Sequence, residues 1–109
     1  MGRSQEYYED MDIMLPESFM NKVKEQLENV SVEDADYALI QIEQGTRSMS
    51  QMNAELIRLL RDSDRMGCLK ENDSYLYILA HTNYKDAEFV VRKLQREGFT
   101  SKVVMLDEI

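Results

Sequence analysis

Residues 56–94, LIRLLRDSDRMGCLKENDSYLYILAHTNYKDAEFVVRKL, decide the fold of this chain. The apolar spacing of Met49, Met52, Leu56 and Leu59 or Leu60 leads into the stretch at three- and four-residue steps. It predicts a helix over residues 48–61 that packs on a sheet and presents Arg58 and Arg61 on its polar face. Residues 66–69 and 74–80 are two short strand candidates. The Lys70-Glu71-Asn72-Asp73 segment between them has the composition of a tight turn, so the pair predicts a hairpin. Thr82 or Asn83 then caps a further helix whose core face is Ala87, Val90, Val91 and Leu94.

Outward from this stretch the same periodicities continue. Gly98 ends the last helix before a strand over residues 101–106. Tyr37-Ala38-Leu39-Ile40-Gln41-Ile42 is apolar on both faces up to Gln41, as suits an inner strand covered on two sides, and Gly45 breaks it. Leu15-Pro16-Glu17-Ser18 starts a helix with Pro in its first turn and Phe19, Val23, Leu27 and Val30 on one apolar face. Residues 1–14 are acidic and without clear periodicity, so they are expected to be a flexible segment or linker preceding a single domain over residues 15–109. The order, a helix followed by β-α-β-β-α-β, predicts an α+β fold: a ferredoxin-like antiparallel sheet with an extra N-terminal helix.

The chain has 109 residues and 43% hydrophobic content, enough for one core. Thirteen Lys and Arg against 21 Asp and Glu give a net charge of −8, which opposes nucleic-acid binding. The imbalance is local: residues 1–36 hold ten acids and three bases, net −7, leaving −1 for the remainder. An anionic partner therefore fits the later two-thirds, where Arg58, Arg61 and Arg65 cluster. The single cysteine, Cys68, has no disulfide partner within the chain, and no transmembrane-length apolar run or signal-peptide pattern is present, so a cytoplasmic setting is expected.

Cys68 lies in the apolar run Met66-Gly67-Cys68-Leu69 and reads as a buried structural thiol. His81, the only histidine, has no cluster of ligand residues beside it in the sequence, so no metal site is expected and it reads as structural. Met49, Met52 and Met66 read as core packing, and Tyr7, Tyr8 and Tyr84 as partly exposed.

Between Leu56 and Leu94 the parts RDSD, RMGCL, KENDSY, LYILAHTN and DAEFVVRKL occur in the order found in the second half of a GGDEF domain, the module of diguanylate cyclases, which this chain resembles over residues 37–106. The signature itself is absent. KENDSY has no glycine to let backbone approach GTP phosphates, one residue is inserted between Asp64 and Tyr75, and Glu71 and Asp73 read as solvated turn residues. The first strand ends Gln41-Ile42-Glu43-Gln44, where the family places a metal-binding Asp-x-Asp, and the family's GTP-gripping segment has no counterpart. The resemblance therefore implies a protein without cyclase activity and without a cofactor.

What survives is Arg61-Asp62-Ser63-Asp64, matching the Arg-x-x-Asp inhibitory site at which the family binds cyclic di-GMP. Four letters alone are a weak signal. Arg offers a planar fork of donors for phosphate or guanine, and an ionised Asp accepts from guanine N–H groups. A spacing of three sets both on one side of the last turn of the expected helix. The family helix places Lys93, with Arg92 as neighbour, as a further basic contact, and Arg58 and Arg65 can add phosphate contacts. A shortened GGDEF-like domain of this kind is similar to the C-terminal domain of PelD-type receptors, which control exopolysaccharide export and carry membrane and GAF segments upstream. The resemblance thus implies a cyclic di-GMP receptor domain, either a fragment of such a protein or a stand-alone relative. The alternative is a protein-interaction or homodimerisation module that keeps the fold without nucleotide binding, its acidic N-terminal helix being the expected contact.

Overall fold

In a computed structural model, which describes residues 6–28, 37–71 and 73–104, the chain forms a five-stranded mixed sheet with three α-helices. The elements are β1 (Ile13–Met14), α1 (Pro16–Glu28), β2 (Ala38–Glu43), α2 (Met49–Leu56), β3 (Arg65–Gly67), β4 (Tyr75–Ala80), α3 (Tyr84–Arg96) and β5 (Ser101–Val104). A 3₁₀ turn, Ile57–Leu59, follows α2 directly. Among the described residues no helix is long and apolar enough to cross a membrane. Val30, the acidic residues before Tyr37, Asn72 and Leu106 lie outside the described residues, as do the side chains of Leu27 and Tyr84.

The sheet order is β1-β3-β4-β2-β5. Its last four strands are antiparallel neighbours in the ferredoxin-like arrangement: β2 lies between β4 and β5, and β3 pairs with β4 as the expected hairpin. Strand β2 is covered on both sides, as its two apolar faces require. Ala38, Ile40 and Ile42 join Met52 and Leu56 of α2 and Ala87, Val91 and Leu94 of α3 in one core. Leu39 joins Tyr77, Leu79, Val104 and Phe19 and Val23 of α1 in a second core on the opposite face. The N-terminal helix thus makes a third layer. Gly67 lets it approach: a Cβ there would stand 2.5 Å from Cγ and Cδ1 of Phe19.

Two expectations are corrected. Residues 6–14 do not fray. Ile13 and Met14 are buried and pair in parallel with Met66 and Gly67, which makes the sheet mixed. The preceding residues fold back on this strand: Tyr8 N–H donates to Ile13 O at 2.9 Å and Leu15 N–H to Glu6 O at 2.8 Å. The physical reason is edge satisfaction, since β3 would otherwise present unpaired backbone groups beside a core.

The second correction concerns the helix read as reaching Arg61. It ends as α-helix at Leu56, tightens through the 3₁₀ turn, and becomes extended at Leu60 (φ −86°, ψ 145°). Asp64 accounts for the stop by taking the Arg61 N–H at 3.1 Å, a side-chain alternative to helical bonding. The two residues close a turn, with Asp64 N–H donating to Arg61 O at 2.9 Å.

Candidate functional site

The turn brings Arg61 and Asp64 together in unequal surroundings. The Arg61 side chain is 59% exposed and that of Asp64 only 6%. Asp64 is fully engaged. Its Oδ2 accepts from Arg61 N and Nε at 3.1 and 3.3 Å, and its Oδ1 from His81 N–H and Arg61 Nη2 at 3.0 and 3.4 Å. Four accepted bonds fill the capacity of a carboxylate, so Asp64 pins the end of β4 to the turn and fixes the guanidinium. The carboxylate expected to accept from guanine is thus engaged by donors of the chain itself.

Arg61 is correspondingly oriented. Nη2 also donates to His81 O at 3.0 Å, which leaves both hydrogens of Nη1 without a partner among the described residues. The planar fork expected to meet a ligand is therefore turned inward, and the guanidinium presents one nitrogen outward. Two shallow depressions flank it. One, of about 180 Å³, lies between the 3₁₀ turn and α3 and is lined by Leu59, Leu60, Arg61, Asp64, Ile78, Val90, Lys93 and Leu94. The other, of about 330 Å³, lies between the N-terminal arm and β3, with Tyr7, Asp12, Arg61, Asp62 and Arg65 among its walls.

Of the residues expected at the site, Arg61, Asp64 and Lys93 thus converge on the first depression. The side chain of Lys93, exposed on α3, has no hydrogen-bond or ion-pair partner among the described residues. Arg65 lines the second depression, but its Nη1 donates to the carbonyls of Asp62 at 2.7 Å and Asp64 at 2.9 Å, so it braces the turn. Arg58 is exposed on the 3₁₀ turn and lines neither depression. Arg92 projects off the depression, its guanidinium 5.8 Å from the ring centroid of Phe89.

His81 contributes backbone rather than imidazole to the site. Its ring stacks on Tyr37 with centroids 4.6 Å apart, and its main chain holds Arg61 and Asp64. Nothing in the local sequence marks a histidine carbonyl as an arginine acceptor, because the contact spans 20 residues. Cys68 is buried, and burial raises its pKa from 9.0 to about 11 despite a bond from Tyr8. It is a thiol at neutral pH. Glu71 is exposed, and Asp73 accepts from Tyr75 N–H at 3.3 Å within its turn. Among the described residues no group of three or more His, Cys, Asp or Glu could hold a metal ion.

Phe89 falls outside the apolar stripe of α3 and is 64% exposed, the most exposed large apolar residue described. No family model, no curated protein and no solved structure matches the chain.

Proposed function

We propose that this chain is a degenerate, non-catalytic GGDEF-like receptor domain that binds cyclic di-GMP through Arg61 and Lys93, with Asp64 positioning Arg61. The observation that supports this most is the meeting of Arg61, Asp64 and Lys93 along one open depression between two elements. Arg61 meets a phosphate oxygen through the two free donors of Nη1, and the Lys93 ammonium supplies a second, mobile charge. Occupancy would bridge the 3₁₀ turn to α3 and so alter how this face meets a partner, in the manner of receptors that regulate exopolysaccharide export.

Titration calorimetry with cyclic di-GMP tests the reading on the wild type and on Arg61→Ala and Lys93→Ala. Binding by the wild type that falls at least tenfold in each variant, and weakens with added salt, is the expected result. Equal binding in all three, or none in the wild type, rejects it.

One observation favours a second reading. The carboxylate of Asp64 is saturated from within the molecule, so Arg-x-x-Asp already has a structural occupation. A protein-interaction or dimerisation module that keeps the fold and has lost nucleotide recognition would look the same at this turn. It predicts no response to cyclic dinucleotides, together with self-association or capture of a basic partner that depends on residues 1–30.

A further inference from the structure

A depression of about 180 Å³ is smaller than the few hundred Å³ that a drug-sized ligand occupies, so a nucleotide seated on Arg61 and Lys93 must overhang its rim. On the α3 side that rim is formed by Val90 and Lys93. Phe89 precedes Val90 and lies one turn before Lys93 on the same helix, within about 6 Å between Cβ atoms by helix geometry. An isolated exposed apolar side chain is ordinary. What distinguishes Phe89 is its company. Of its four helical neighbours at three- and four-residue spacing, Lys85, Arg92 and Lys93 are cations and Asp86 is an acid, all exposed. Arg92 already lies over the ring.

An aromatic face beside cations is the chemistry that binds a stacked base attached to phosphate. We infer that Phe89 is the base-stacking subsite of the depression. A purine of the ligand lies on its ring, Arg92 adds a cation to the stack, and Arg61 with Lys93 holds the phosphate. This rests on the receptor reading above and assigns the overhanging part of the ligand to a residue that the Arg-x-x-Asp motif does not include.

The test compares cyclic di-GMP binding by wild type, Phe89→Ala, Phe89→Tyr and Arg61→Ala. In parallel it follows the fluorescence of a cyclic dinucleotide carrying 2-aminopurine in place of one guanine. Phe89→Ala is expected to weaken binding about 5- to 150-fold and to abolish the stacking quench. Phe89→Tyr, which keeps the ring, retains both. The ring is exposed, so circular dichroism of the Ala variant should match the wild type. Wild-type binding with an unaffected Phe89→Ala overturns this inference alone. Failure of the wild type to bind removes the receptor reading and this subsite with it.

Discussion

Asp64 shows how a short motif can be legible while its role is not. The sequence places an arginine and an acid three apart at the end of an apolar helix, and that juxtaposition is real. Which partner the acid takes depends on the N–H of His81, 17 residues away, and this exists only once β4 lies beside β3. Because four donors converge on one buried carboxylate, Asp64→Ala leaves the N–H groups of Arg61 and His81 unpaired. It should destabilise the fold by about 2–3 kcal/mol, lowering the melting temperature by roughly 10 °C, as calorimetry would measure. An exposed ion pair would cost less than about 1 kcal/mol. Cys68 gives a prediction in pH. Its folded pKa of about 11 exceeds the ordinary 9.0, so its contribution to stability is complete below pH 9 and is lost as pH rises towards 11. Tyr8 and Tyr77, both raised chiefly by burial, act in the same direction. Urea midpoints should therefore decline above pH 9, and Cys68→Ser should make that decline shallower. At pH 8 the native thiol should react with a disulfide reagent far more slowly than the unfolded one.

At the scale of elements, the sequence periodicity located the three helices and four antiparallel strands of the described residues, with the second helix stopping at Leu56 rather than Arg61 and the ends expected at Val30 and residue 106 lying outside them. Local caps explain the agreement. Pro16 occupies the first position of α1, Ser48 accepts from Gln51 N–H at 3.1 Å, and Asn83 accepts from Asp86 N–H at 2.8 Å. The helix end at Leu56 was not legible, because Leu59 and Leu60 continue the apolar spacing even though the backbone has left the helix. Nor was the close crossing of α1 over β3, which depends on Gly67. Gly67→Ala would drive a methyl group into the Phe19 ring and should destabilise by about 1–3 kcal/mol. In a Phe19→Ala background the ring contacts are gone but the Cβ of residue 19, 2.7 Å from the added methyl group, remains, so the added cost of Gly67→Ala should shrink without vanishing. A double-mutant cycle reads that coupling directly, and additive costs would show that the helix shifts freely.

Over the whole molecule, two cores share one sheet, and the N-terminal arm closes its edge. Ile13 reaches the core beneath α2 and α3, while Met14 reaches the one beneath α1. Removing residues 1–14 exposes both cores at β3 and should lower stability by about 3–6 kcal/mol, the burial of two large apolar side chains. A urea titration comparing the full and shortened chains checks this, and a frayed linker would leave the midpoint unchanged. The acidic arm also walls the second depression through Tyr7 and Asp12, so a segment that the sequence set apart from the site is part of its surroundings. By itself the sequence determined the α+β class and the order of the helices and antiparallel strands, because periodicity and caps are local properties; Arg61, Asp64 and Lys93 entered as candidates through the family resemblance. Only the tertiary structure decided that Asp64 faces inward, that Lys93 and Arg61 line one depression and that residues 13–14 complete the sheet. Each of these brings distant segments together, and a two-residue strand carries too little pattern to be read before its partner is in place.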